Sequence, residues 1–421
     1  MQATIPAIPE LLAPAGSFEK LVTAIHYGAD AVYLAGQKYG LRAKAGNFDK
    51  PGLREAVAYA HRYNVAVYVT VNIIAHNDDF EGLADYFCYL DSLGVDGLII
   101  SDPGIIMVAQ KTVPSLSLHL STQANVTNCH AARFWFDQGV SRINLARELS
   151  FVEMQSIRKS VSGELEIFIH GALCISYSGR CMLSHYMTGR DANQGNCAHP
   201  CRYSYSLIEE KRPGQYFPVS EDERGTYIFN SKDLCLLKRL PELVAAGFDS
   251  LKIEGRMKSL FYVGGVVRVY RAALDFLGTV EPAAWKRPET IQLPDCLLNE
   301  ISRMGTRDYT ENFFAEMPGS SEMLYQSSRF DQPYEPVAVV REMTELPYVE
   351  LRNVLQRGEL IEYMHRSSDI TAVTVSEIIS QNGQVIDRGN PGNKVYLSFD
   401  KECQNFEPNG MFRRKKDQER H

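Results

Sequence analysis

The chain has 421 residues, 45% hydrophobic and 23% charged, with a formal net charge of −7. That length and apolar content support a large core in two domains, or one large and one small, without crosslinks. A net negative chain excludes broad, non-specific nucleic-acid binding but leaves room for a local basic groove. The opening MQATIPAIPELLAPAG lacks a basic stretch followed by a long apolar one, and no run of 18 apolar residues occurs. Neither a signal peptide nor a membrane span is expected, and the cytoplasm is the expected compartment.

Eight short apolar runs follow in chain order: 10–15, 31–35, 66–72, 97–101, 116–122, 142–147, 164–171 and 249–255. Helical segments intervene at 17–28, 80–94, 129–139 and 259–278, and several end in a glycine suited to a helix C-terminus (YGAD, LGVD, AGFD). Apolar runs of this kind suit parallel strands buried on both faces. Between runs four and five, DPGIIMVAQKTVPS leaves room for one small helix. The pattern predicts a (β/α)8 TIM-like barrel over residues 1–280. No GxGxxG follows the first strand to support an open dinucleotide-binding sheet.

In such barrels the chemistry sits at the C-terminal ends of the strands. Those ends carry Asn72, Ser101 with Asp102, His119 with Thr122 and Gln123, Arg147 with Glu148, His170, and Glu254 with Arg256. Each taken alone suits a structural role; the ring of them suggests a site. His119, Gln123, Arg147, His170, Glu254 and Arg256 are the catalytic candidates.

Residues 172–248 separate runs seven and eight, far more than an ordinary connection. Their last part, LCLLKRLPELVAAG, reads as the expected helix, and the insertion proper is 172–231. Five of the nine cysteines fall in this stretch, at 174, 181, 197, 201 and 235, spaced C-x6-C, x15, C-x3-C, x33, C. Paired C-x2-C knuckles of zinc ribbons and ferredoxins are missing. Iron–sulfur ligation, zinc, a redox disulfide and plain core thiols all remain open, with iron–sulfur ahead. A reducing cytosol and an odd cysteine count disfavour a disulfide framework. Gly171, Gly179, Gly189 and Gly195 permit tight loops with free amides. Arg180, Arg190 and Arg202 could offset thiolate charge or simply be surface arginines.

At run eight, KIEGRMKS sets Lys252, Glu254, Arg256 and Lys258 near the mouth, suited to an anionic substrate or to a buried brace. No G-x-S-x-G or H-E-x-x-H motif supports a peptidase, and the His170/Cys174 pair is explained by adjacency. A Pro- and charge-rich linker is expected at 281–324. Alternation then predicts six short strands and a small antiparallel β-barrel domain at 325–412, with a hairpin at Asn382-Gly383, followed by a solvated basic tail at 413–421.

The segments ELLAPAGSFEKLVTAIHYGADAVYLAG, LHLSTQANVTN, EIFIHGALCISYSGRCMLSHYMTGRDANQGNCAHPCRY and NSKDLCLLKRLPELVAAGFDSLKIEGRMKS resemble the peptidase U32 family. The resemblance covers nearly the whole chain and is closest to members that hydroxylate tRNA. It implies a [4Fe–4S] cluster on Cys174, Cys181, Cys197 and Cys235, with Cys201 competing for the fourth place. It also implies prephenate-dependent conversion of wobble uridine 34 to 5-hydroxyuridine, with tRNA and a paralogous U32 subunit as partners. The family's older label implies the alternative, a collagenase-like protease.

Overall fold

The computed structural model describes residues 5–41, 47–173, 181, 183–190, 192, 195–200, 207–208, 216–217, 220–222, 225–227, 232–305, 308–315, 332–401 and 405–416. Cys174 and Cys201 lie outside them. Seven parallel strands run β1 (Glu10–Pro14), β2 (Ala31–Leu34), β3 (Ala66–Val71), β4 (Gly97–Ile100), β5 (Ser117–Leu120), β6 (Arg142–Asn144) and β7 (Glu164–Gly171). After the insertion come an added strand, β8 (Asp233–Cys235), and the eighth barrel strand, β9 (Ser250–Ile253). β9 pairs in parallel with both β1 and β7, which closes the ring. Each expected run therefore became a barrel strand, because its Val, Leu, Ile and Ala side chains are covered by helices outside and by other strands inside.

The helices are α1 (Phe18–His26), α2 (Lys50–Arg62), α3 (Leu83–Ser92), α4 (Pro103–Thr112), α5 (Cys129–Asp137), α6 (Phe151–Ser160), α7 (Leu183–Thr188), α8 (Leu240–Ala246), α9 (Leu260–Gly278) and α10 (Asp295–Met304). Asp102, expected near the mouth, is the N-cap of α4: its Oδ1 accepts from the Gly104 and Ile105 amides at 2.8 and 3.1 Å. The insertion returns as β8, antiparallel to the top of β7, with Cys235 opposite His170. A short strand, β10 (Tyr309–Thr310), pairs with β8 in turn.

The expected linker at 281–324 is instead partly built into the fold. α10 buries Leu297, Ile301 and Met304 against the main core, and Trp285 is buried as well. Its amphipathic spacing was masked by the prolines on either side.

The C-terminal domain is a closed antiparallel barrel of six strands, β11 (Tyr334–Met343), β12 (Pro347–Leu351), β13 (Leu360–Met364), β14 (Ile370–Ser380), β15 (Lys394–Phe399) and β16 (Met411–Lys415), in ring order β13–β16–β11–β12–β15–β14. The hairpin forms at Gly383 (φ +80°), where the Ser380 amide donates to the Gln384 carbonyl at 2.8 Å. Its GQVIDRG arm makes only short pairings at Val385–Ile386 and Arg388–Gly389. The sixth strand runs past the expected domain end at 412 and takes its last three residues, Arg413 to Lys415, from the expected solvated tail. Arg413 is fully buried, because two carboxylates await it.

Those carboxylates join the domains. Glu300 on α10 receives Arg268 of α9 at 3.1 Å and Arg413 of β16 at 3.0 Å, and Arg413 also reaches Glu362 at 2.8 Å. Arg268 donates to the Ser367 and Ser368 carbonyls at 2.6 and 2.7 Å. Nearby, the buried Tyr27 hydroxyl donates to the Met364 carbonyl and accepts from the Met411 amide, each at 3.1 Å. Glu19 on α1 pairs with Arg341 and Arg352 of the β domain.

Removing one member of a buried ionic cluster strands the others. Glu300→Ala is expected to cost about 3–5 kcal/mol of stability, read as a lower denaturation midpoint. Burial pushes the Glu300 carboxyl up, but the hydrogen bonds and charge of Arg413, with Arg268 and Arg303, prevail and hold it below its ordinary 4.5. Its contribution is complete above that value and is lost as pH falls through the lower folded one. Acid titration of the melting temperature should therefore show a loss in wild type that Glu300→Ala lacks.

Candidate functional site

The barrel interior sets a network of charges beside a small apolar cluster of Leu12, Ala31, Tyr33, Tyr68 and Ile99. Glu166 (β7) accepts from Lys252 (β9) at 2.6 Å and from the Asn144 amide (β6) at 2.6 Å, with Arg142 at 3.7 Å. Arg142 donates to Glu10 (β1) at 2.6 Å and to Glu164 at 2.8 Å. Glu10 also accepts from the Tyr68 hydroxyl at 2.6 Å and from Ser250 at 2.8 Å. Lys252 lies 4.7 Å from the Tyr33 ring centroid and 5.5 Å from that of Phe168, while Arg142 lies 5.2 Å from that of Tyr68. Burial depresses the Lys252 ammonium below its ordinary value, and Glu166 opposes that.

His119, expected at the mouth, belongs to this interior. It sits in mid-β5, level with Ile99 and Arg142, with its ring centroid 4.5 Å from Tyr68 and its Nε2 3.1 Å from Ser117 Oγ. Burial, then Arg142 and Lys252, hold its imidazole well below the usual range, so it is neutral.

The mouth itself holds a hydrogen-bonded chain across three strand ends. The Gln123 amide donates to the Asn72 carbonyl at 2.8 Å and its Oε1 accepts from Asn72 Nδ2 at 2.5 Å. Asn72 Oδ1 accepts from the Leu41 amide at 3.1 Å. The buried Arg256, arriving after β9, donates to Thr70 Oγ1 at 3.3 Å and to the Leu41 carbonyl. The Arg256 carbonyl accepts from Lys20 at 3.1 Å, and a Cβ at Gly16 would stand 2.1 Å from that oxygen, so only glycine lets the β1 loop pass.

Arg147 stands apart from this chain. It donates to the Ala172 carbonyl at 2.7 Å and lies 4.5 Å from the Phe168 ring centroid, so one aromatic ring contacts both Arg147 and the interior Lys252. Beside it, burial pushes the Glu148 carboxyl up. A separate cleft of about 670 Å³ opens between the loops after β2 and β3, lined by Lys38, Tyr39, Ile73, Asp78, Asp79 and Glu81. Its three carboxylates outnumber Lys38 and disfavour an anion there.

Glu254 is half-buried. Its amide donates to the His170 carbonyl at 2.8 Å, and its carbonyl accepts from Tyr262 at 3.1 Å. His170 is closed to solvent among Tyr262 and Tyr270 of α9 and Tyr309 of β10, with centroids 5.9, 5.5 and 5.2 Å away. Burial lowers its imidazole to about 3, Asp233 opposing and Lys258 assisting. It does not line an open mouth. Lys258 bonds Asp233 at 3.1 Å.

Of the five clustered cysteines, Cys181, Cys197 and Cys235 are described, all as free thiols. The Cys197 sulfur accepts from the amide two residues on, His199, at 3.3 Å; the Cys235 sulfur lies 3.8 Å from the Tyr270 hydroxyl, and burial pushes its thiol up. Arg190 reaches the Cys197 carbonyl at 3.2 Å and Asn196 at 3.2 Å, bracing that loop from within. Among the described residues no three His, Cys, Asp or Glu converge as a metal site, and no helix is long and apolar enough to cross a membrane.

The sequence reading missed Glu10, Tyr68, Arg142, Asn144 and Glu166. A signal existed in ELEIFIHG, where Glu164 and Glu166 alternate with Leu165 and Ile167. In a strand covered on both faces, that alternation marks a polar interior.

Residues 16–324 match the family described as Peptidase family U32, and residues 332–413 match the Peptidase family U32 C-terminal domain. The chain is 38% identical over 412 residues to tRNA hydroxylation protein P1 of Bacillus subtilis (strain 168), covering 97% of this chain and 95% of that one. It is 36% identical to 23S rRNA 5-hydroxycytidine C2501 synthase of Escherichia coli (strain K12), covering 72% of this chain and 45% of that one. A solved structure of a U32 peptidase aligns at 17% identity with a TM-score of 0.39, over 61% of this chain and 96% of that one.

The interior pairing is testable by itself. Glu166→Ala leaves Lys252 as an unpaired buried charge and is expected to destabilise by about 3–5 kcal/mol in chemical denaturation. The double variant Glu166→Leu with Lys252→Met should recover most of that loss.

Proposed function

The chain belongs to peptidase family U32, and from that membership we propose that it is an RNA-hydroxylating enzyme converting wobble uridine 34 of tRNA to 5-hydroxyuridine in the cytoplasm. One observation carries the reading: 38% identity sustained over 97% of this chain with a protein named for tRNA hydroxylation. The anticodon base suits a barrel mouth because it is already single-stranded and can be splayed out without melting a duplex. The net charge of −7 calls for a local cationic group at the mouth, and Arg147 on the Phe168 ring offers one.

The proposed cofactor is a [4Fe–4S] cluster held by Cys174, Cys181, Cys197 and Cys235, with Cys201 as the competing fourth ligand. The fit rests on the donors at two sulfurs. Burial pushes the Cys235 thiol up, while the Tyr270 hydroxyl near Cys235 and the His199 amide on Cys197 favour negatively charged sulfur, as a thiolate ligand requires. Such a cluster would supply one-electron chemistry. This chain's own residues bind and orient. Arg147, half-buried beside the Phe168 ring, is suited to the carboxylates of prephenate, the proposed co-substrate. The Gln123–Asn72–Leu41–Arg256 chain holds three strand ends at fixed spacing, which positions a base. A paralogous U32 subunit is the proposed protein partner.

Nucleoside analysis of tRNA from a strain lacking the gene, and any paralogue, is expected to show loss of 5-hydroxyuridine, restored by the wild-type gene. Arg147→Ala should restore roughly tenfold less or worse. Anaerobically purified protein should carry about four irons and four sulfides per chain. Unchanged 5-hydroxyuridine in the deletion strain would overturn the proposal. Cleavage of a collagen-like peptide by pure protein, surviving chelation, would favour the peptidase alternative.

A further inference from the structure

Resting on the iron–sulfur reading above, we propose that His170 and Tyr270 are positioning residues that aim a hydrogen bond at the Cys235 sulfur. Three elements bring them together. β8 lies antiparallel on β7 with Cys235 opposite His170, and α9 packs Tyr270 behind both. The Tyr270 hydroxyl, wholly buried, is 3.8 Å from Cys235 Sγ, 3.3 Å from His170 Nδ1 and 2.9 Å from the Ile169 carbonyl.

A phenol has one proton, and here it faces two oxygen or sulfur acceptors and an imidazole nitrogen. The surroundings decide how it is shared. His170 Nε2 is buried and has no hydrogen-bond partner among the described residues. A buried N–H without an acceptor is rarer and costlier than a bare lone pair. The proton of the neutral ring therefore sits on Nδ1, which donates to the Tyr270 oxygen. That leaves the Tyr270 proton to choose between the Ile169 carbonyl and the sulfur. The Ile169 carbonyl already accepts from the Leu236 amide at 2.9 Å, so it stays satisfied when the phenol turns away. When Cys235 sulfur carries charge as a metal ligand, it is the stronger acceptor, and the chain runs His170 Nδ1–H to Tyr270 O–H to Cys235 Sγ. Each donor polarises the next.

Hydrogen bonds to cluster sulfurs raise the reduction potential and slow ligand loss. His170 thus acts through Tyr270 and needs no path to solvent, which agrees with its tyrosine enclosure.

The test uses full-length protein purified and reconstituted anaerobically, with iron content, midpoint potential from visible absorption, and the rate of iron loss to a chelator as readouts. Tyr270→Phe is expected to hold the same iron as wild type, at a lower midpoint potential and with faster loss. His170→Leu should shift both in the same direction, and His170→Asn, which keeps a donor near Nδ1, should restore them. Tyr262→Phe packs against the same imidazole but contacts none of the described cysteines, so its potential should match wild type. Far-UV circular dichroism checks folding; if Tyr270→Phe does not fold, the His170 pair decides. A wild-type protein that takes up no iron overturns both this inference and the cluster reading. A cluster-bearing wild type with unshifted Tyr270→Phe, or unshifted His170→Leu where the former does not fold, overturns this inference alone.

Discussion

Glu166 is the centre of gravity of the barrel. It meets Lys252, Asn144 and Arg142 from the neighbouring strands, and through Arg142 it connects to Glu10 and Tyr68 across the interior. A barrel of this size is ordinarily filled by layers of branched apolar side chains, which tolerate small rotations. Charged groups at hydrogen-bond distance do not, because each must find its partner or leave a charge unsolvated. The relative heights of β1, β3, β6, β7 and β9 are therefore pinned from inside. Everything at the mouth inherits that registration, from the Arg256 bridge at one side to the Phe168 ring under Arg147 at the other.

Much of this was legible in the residues. Parallel strands covered on both faces leave a strong apolar signal, so all eight barrel strands stood out, and the small β-barrel was evident from alternation. What stayed hidden was hidden for physical reasons. α10 lies between prolines in a charged stretch, and only its packing against α9 reveals it. Arg413 reads as a solvated terminal charge, and becomes core only because Glu300 and Glu362, far away in sequence, neutralise it. His119 and His170 both follow apolar runs, as mouth residues would. One turned out to fill the barrel and the other to face tyrosines, since a strand's length and the side its residues take depend on partners that spacing alone does not name.

The strand at Met411–Lys415 has a consequence for biosynthesis. It completes the ring of the small barrel and carries the guanidinium that docks on Glu300, yet it is translated after every other strand of that ring. The first barrel can assemble as soon as β9 emerges, whereas the small domain waits with an open seam until Met411–Lys415 has emerged. Until then Glu300 and Arg268 lack their third member, so domain docking is timed by the arrival of a single late arginine.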